Sequence, residues 1–281
     1  MFWSARGVEI KRPDQLVQMR AAGLVVARAL AATSAAVRAG VTTAELDAVA
    51  ADVIAQAGAT PSFLGYGAVH GVGGFPGVTC ISVNSEIVHG IPGDRLLADG
   101  DLVSIDCGAV VSGWHGDSAV TVFVGEPSAE GAALSEATRM AMWHGVAAAT
   151  LGGHVTDISA AVEGYVRSLQ APYGIVQDYV GHGIGSAMHQ PPDVPNLGRP
   201  GRGPKIVEGM ALAVEPMLTL GSPDSRVLAD DWTVVTDDGR SAAHWEHTMT
   251  VTRDGVWVLT AEDGGEAMLG ALGAPFGPLA P

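Results

Sequence analysis

Apolar residues recur at helical spacing from the first proline-marked turn onward. Leu16, Met19, Gly23, Val26, Leu30 and Val37 fall on one face behind Pro13, and Gly40 closes the pattern. Thr42 and Glu45 then have the spacing of a capping box, which predicts a second helix running to about Gly58. A glycine-rich passage over residues 65–77 separates these helices from strand-like apolar runs at 78–83, 102–111 and 119–124. The second half opens the same way. Pro127 begins a long helical stretch that closes at Gly152 and Gly153, and Thr156 starts another helix. An offset of 113 residues places Thr43 on Thr156, Val49 on Val162 and Val53 on Val166, a weak sign of internal duplication. Later strands are expected at 210–218, 232–236 and 246–251, giving each half a helix, helix, sheet plan. The pattern divides the chain into a short arm (residues 1–12), one catalytic-sized domain (13–262) and a Gly/Ala/Pro-rich tail (263–281).

Composition narrows the classes. Apolar residues make up 47% of 281 residues, enough for a substantial core. Thirty acids against fifteen Lys and Arg leave a net charge of −15, which disfavours nucleic acid and anionic lipid as partners. No run of 18 residues reads as charge-free and apolar enough to span a bilayer, and the N-terminus lacks a signal-peptide pattern. Two cysteines, Cys80 and Cys107, do not make a disulfide framework and read as reduced thiols, so the expected compartment is the cytoplasm.

The chemistry concentrates where acids interrupt apolar strands. A hairpin centred between Val111 and Ser112 would set Asp106 directly opposite Asp117, with both carboxylates on one face. Two readings stand on this segment: an exposed hairpin with unrelated acids, or buried like charges held together by a cation. Glu215 ends another apolar strand before Pro216, Glu246 begins one, and His182 sits among three glycines where backbone can approach a ligand closely. Four such acids and a histidine form an oxygen-rich donor set suited to Mn, Co, Fe or Zn. Two ions sharing bridging carboxylates would neutralise all four charges.

These residues resemble the type I methionine aminopeptidases. The resemblance is carried by Cys80-Ile81-Ser82-Val83-Asn84, His89-Gly90-Ile91-Pro92, Asp106, Asp117, Gly181-His182-Gly183-Ile184-Gly185, His189, Glu215-Pro216 and Glu246-His247-Thr248, in order and spacing, over residues 13–258. It implies an α+β pita-bread fold: two pseudo-symmetric halves of helices packed on a curved antiparallel sheet. It also implies two divalent metal ions (Co, Mn, Fe or Zn). Asp106 would hold one, Asp117 and Glu246 would bridge both, and His182 and Glu215 would complete the other. The implied reaction is attack of a water bridging the metals, which removes the initiator methionine when the second residue is small. Glu215 would also pass a proton, while His89 and His189 would contact the peptide and stabilise the oxyanion. Tyr66, Phe75, Cys80, Met188 and Trp232 match positions lining the methionine pocket, with His89 beside them. His115, His144, His154, His244 and His247 are left as structural.

Two departures from the family pattern stand out: a glycine-rich lengthening over residues 67–74, which carries His70, and Met188 where the family often has an aromatic residue. The implied partners are nascent polypeptide N-termini, with transient ribosome association and a monomeric state as further expectations. The rival readings are a proline-specific dipeptidase or aminopeptidase, whose members usually carry an extra N-terminal domain, and a non-catalytic pita-bread binding protein. The second would tend to lose its ligands.

Overall fold

The computed structural model describes residues 7–68 and 73–279; the arm's first six residues, the centre of the glycine-rich lengthening with His70, and the last two residues lie outside them. The first half comprises α1 (Pro13–Ala36), α2 (Thr43–Gln56), β1 (Thr60–Pro61), β2 (Thr79–Val83), β3 (Glu86–Val88), β4 (Leu102–Val111) and β5 (Trp114–Phe123). The second opens with α3 (Ala129–Ala148), α4 (Val155–Ser168), β6 (Gly174–Ile175), β7 (Gly181–Gly183), β8 (Gln190–Val194), β9 (Ala211–Val214) and β10 (Met217–Thr219). It ends with β11 (Ser225–Val227), β12 (Val234–Thr236), β13 (Ala242–His244), β14 (Glu246–Val251), β15 (Val256–Val258) and α5 (Glu266–Ala271).

The main antiparallel sheet runs β1-β4-β5-β14-β9-β7-β8, with β2 on β4 and β15 on β14. Its centre is the β5–β14 seam, where Glu246 faces Ala119 and His247 faces Ser118, so each half contributes one side of the sheet. Helices α1 and α2 cover the first side through Val26, Ala29, Leu46 and Ile54 against Ile81, Val103 and Ile105. On the second side, Met142, Val146 and Ile158 from α3 and α4 pack on Leu212, Val214 and Met249. This is the α+β, helix-helix-sheet plan expected for both halves.

Local chemistry explains where the elements start and stop. Thr42 accepts from the Glu45 amide at 3.1 Å while Glu45 accepts from the Thr42 amide at 2.7 Å, so the capping box forms as read. Ser128 caps α3. The run expected as one strand over 210–218 is two, because Pro216 has no amide to donate. β9 stays in the main sheet and β10 joins β13 and β6 instead.

Three further expectations are corrected. The β4–β5 hairpin is centred one residue later, between Ser112 (φ 52°) and Gly113 (φ 82°), both left-handed as a two-residue hairpin turn requires. Asp117 therefore faces Gly108 and Asp106 faces Ala119. The change moves each opposed partner by two positions, so both acids keep the same face and lie diagonally across the pair. Second, α1 is long and apolar enough to cross a membrane by length and composition, yet half of that window is buried in the fold, so it is a core helix. Third, the C-terminal segment is packed: Leu269 of α5 is fully buried, and Phe276 bridges to Val256.

Helix α1 meets the sheet closely where Gly116 of β5 lies against its backbone at Gly23. A Cβ on Gly116 would come within 2.7–3.0 Å of the Gly23 and Ala22 backbone. Gly116 precedes Asp117, so this contact sets the height at which that carboxylate stands. Gly116→Ala is expected to lower stability by roughly 1–3 kcal/mol through overpacking, read as a shift in urea midpoint at unchanged m.

Candidate metal centre

Each of the four acids stands on or just beyond one of four neighbouring strands, β4, β5, β14 and β9. Asp106 and Glu246 both lie level with Ala119, which pairs with each of them across β5. The register His247–Val214 brings Glu215, one residue on, alongside Glu246. Asp117 and Glu246 are buried, and Asp106 and Glu215 are partly so. They end in a cavity of about 170 Å³ together with His89, His182, His189 and His244.

No Lys or Arg among the described residues pairs with any of these carboxylates. Burial, then mutual repulsion, drives their titration upward. Asp106 is pushed up to about 7 and Glu215 to about 8, chiefly by desolvation. Asp117 and Glu246 rise well above the carboxylate range through desolvation and then neighbouring charge, that of Asp106 and Glu215 on Asp117 and that of Asp117, Glu215 and Asp106 on Glu246. Asp106 Oδ1, Asp117 Oδ1 and Glu246 Oε1 are buried with no hydrogen-bond partner, as is Nε2 of His244. Three orphaned carboxylate oxygens and no balancing cation are what a divalent metal would satisfy. The donor atoms of Asp117, His182 and Glu246 lie within 4.8 Å of one another, and so do those of Glu215, His244 and Glu246. The residues present fit a metal centre.

The histidines are oriented by distinct contacts. His182 Nδ1 lies 3.0 Å from the Gly183 carbonyl, which accepts a hydrogen bond from Nδ1–H and leaves Nε2 facing Glu215 Oε1 at 3.3 Å. Burial holds this imidazole down to about 3, so it is neutral and able to ligate. His89 adopts φ 60°, rare for a residue with a Cβ, and packs edge-on against Tyr179 with centroids 5.5 Å apart. His189 stands exposed at the cavity mouth, its Nδ1 2.6 Å from the Tyr66 hydroxyl. The loop carrying Met188 and His189 is held from behind by the N-terminal arm: Glu9 accepts from the Ser186 amide at 2.9 Å, and buried Lys11 reaches Gln190 Oε1 at 3.5 Å.

Beside the acids, where Cys80 pairs with Asp106 across β2 and β4, Phe75, Cys80, Met188 and Trp232 form one apolar cluster with Phe63, and the Phe75 and Trp232 rings meet edge-on at 5.3 Å. Tyr66 also lines the cavity but stays outside that cluster, 40% exposed, with its hydroxyl on His189. The structure thus brings together every residue singled out for metal, catalysis and pocket. Sequence reasoning missed Phe63, Tyr179 and His244. Tyr179 precedes the Val180-Gly181-His182 stretch and Phe63 the glycine-rich passage, so proximity to motifs was the available signal. His244 had been set aside as structural.

Comparison with known proteins agrees with this geometry. The model of metallopeptidase family M24 matches residues 17–253. Methionine aminopeptidase 1 of Mycobacterium tuberculosis is 51% identical over 260 residues, covering 91% of this chain and 96% of that protein. The crystal structure of methionine aminopeptidase from Thermotoga maritima superposes with a TM-score of 0.86 at 37% identity, covering 91% of this chain and all of the other. A prolidase from Pyrococcus furiosus shares the fold, with a TM-score of 0.70 at 22% identity over 65% of its own length.

The carboxylate shifts set a pH dependence for the metal-free protein. Asp106 and Glu215 carry ordinary values of 3.8 and 4.5, and their folded values are raised to about 7 and 8. Between those limits the folded chain binds more protons than the unfolded one, so the contribution is fully present below pH 4 and is lost as pH rises through about 7–8. In chelator, the melting temperature is expected to be lower at pH 8 than at pH 5.5. Mn or Co at about 100 times its Kd should restore about 2.7 kcal/mol at pH 8. A melting temperature that is flat with pH and indifferent to metal would contradict the buried-acid account.

Proposed function

The chain belongs to metallopeptidase family M24, and from that membership we infer a methionine aminopeptidase acting on nascent proteins and peptides whose second residue is small. It is an aminopeptidase of the pita-bread fold. The observation that carries the substrate is that one cavity is lined by both the acid cluster and an adjoining apolar, sulfur-containing cluster. A linear thioether fits such a wall, since Met188, Cys80 and the rings of Phe75 and Trp232 offer polarisable surface without polar direction. Relatedness points the same way: identity reaches 51% with a methionine aminopeptidase, against 22% with a prolidase.

In this reading Asp106, Asp117, His182, Glu215 and Glu246 hold two divalent ions. Bound there, the ions supply Lewis-acid polarisation of the scissile carbonyl and a nucleophile at neutral pH. Glu215 moves the proton, taking it at a carboxylate oxygen from the attacking water and returning it to the departing amine. Tyr66 donates its hydroxyl proton to Nδ1 of His189, which leaves Nε2–H free to donate to the tetrahedral oxygen. His89 holds the peptide near the scissile bond, its ring fixed by the left-handed backbone and Tyr179. Nascent N-termini are the partners, with transient ribosome association. The working state is a monomer in the cytoplasm, where the two buried cysteines stay as thiols.

The test strips the protein with chelator, restores Mn or Co, and follows free methionine from Met-Gly, Met-Ala and Met-Leu beside a residue-proline control. Metal-dependent release from the first two is expected; cleavage of the proline control alone would transfer the reading to the prolidase branch. Asp117→Ala and Glu246→Ala are expected to abolish turnover. His189→Ala should lower kcat by about 10²–10³ with KM little changed, and Tyr66→Phe should lower it less. Trp232→Ala should raise KM for methionine peptides selectively; an equal loss on every substrate would remove it from the pocket.

A further inference from the structure

His244 is left over from the expected ligand set, yet its side chain enters the cavity with the acids. It is 2% exposed, and its Nε2 has no hydrogen-bond partner. The nearest carboxylate oxygen in an ion pair with it, Glu215 Oε2, lies at 3.6 Å, too far for a hydrogen bond. A buried imidazole nitrogen left unpaired is costly, so a packing histidine would be a poor choice for this position.

The backbone that carries the ring is fixed. Met217 pairs with His244 across β10 and β13, and Thr121 bonds both ends of the residue: its Oγ1 accepts from the His244 amide at 3.1 Å and donates to the His244 carbonyl at 2.7 Å. A hydroxyl of the β4–β5 hairpin therefore anchors β13 from the opposite half of the molecule. Two residues on, Glu246 projects into the same cavity from the start of β14.

The donor atoms sort into two triads that share Glu246, one with Asp117 and His182, the other with Glu215 and His244. Each triad has one imidazole and two carboxylates. The two oxygens of Glu215 divide between the rings, Oε1 toward His182 at 3.3 Å and Oε2 toward His244 at 3.6 Å. Asp106 falls in neither triad. We propose that His244 is a nitrogen ligand of the centre, so that each of its two ion positions has its own histidine. This rests on the metallopeptidase reading, adds a ligand to the set that reading supplies, and places Glu215, whose two oxygens face both rings, between the two positions instead of on the ion of His182 alone.

The test uses the full-length protein freed of metal and titrated with Co(II), followed by calorimetry and by the visible ligand-field bands. His244→Gln keeps a hydrogen-bond donor near Glu215 but removes the imidazole. It is expected to bind one Co(II) like the wild type and the second at least about tenfold more weakly, with a displaced band for that second equivalent. Unchanged affinity and bands in His244→Gln, with wild type binding two ions, would overturn the ligand role and leave the aminopeptidase reading standing. A wild type that binds no Co(II) would overturn both. The wild type alone gives a second readout should the variant fail to fold. Proton NMR of the two-cobalt protein should show strongly shifted, exchangeable ring N–H resonances from two histidines, and a single such resonance would refute the proposal.

Discussion

Carboxylates crowded on adjacent strands repel one another and lose the water that would otherwise screen them. Asp117 and Glu246 offer oxygens within 4.8 Å of each other; two full charges at that separation repel by about 3–4 kcal/mol at an effective dielectric of about 20. Without a cation the chain answers by holding protons, which is why all four acids titrate upward. Much of the architecture serves to keep this unfavourable cluster assembled. The β5–β14 seam that joins the halves passes directly beneath it.

Hydroxyl side chains stitch that seam from within. Thr248 accepts from the Asp117 amide at 3.1 Å and donates to its carbonyl at 2.7 Å, while Thr121 does the same for His244. Both pairs cross between the halves, and both hold the backbone of a residue whose side chain faces the cavity. Asp117 is thus positioned through its backbone, and its Oδ1, like Oδ1 of Asp106 and Oε1 of Glu246, is left without a partner and free for a ligand. The helices supply the apolar burial that outweighs the repulsion, and the Gly23–Gly116 approach brings α1 close enough to do so.

The apolar wall and the mouth are built by different means. Phe63, Phe75, Cys80 and Met188 are buried and packed on one another, a preformed surface. His189 and Tyr66 are exposed and lean on each other, and the loop that carries His189 is secured by Glu9 and Lys11 of the N-terminal arm. A segment with no catalytic group of its own therefore fixes where the reacting end of the cavity lies.

The helices, the capping box at Thr42, the hairpin strands and the acids embedded in them were legible in the chain, because capping and alternation are local and an acid in an apolar strand is conspicuous wherever it falls. The face shared by Asp106 and Asp117 was legible too, since side-chain direction depends only on parity. The register was not: a hairpin centred between Ser112 and Gly113 differs from its neighbour by one residue, which alternation along the strands does not resolve. Nor could the chain show that α5 and Phe276 pack, because Gly- and Ala-rich sequence looks the same loose or buried. His244 shows the limit most sharply. Alone between Ala243 and Trp245 it reads as a core histidine, and only the pairing of β13 with β10, which sets it opposite Met217, places its bare nitrogen beside Glu215. Sequence determined which groups were available for chemistry; the long-range pairing of strands decided which of them meet, because that pairing depends on contacts more than a hundred residues apart.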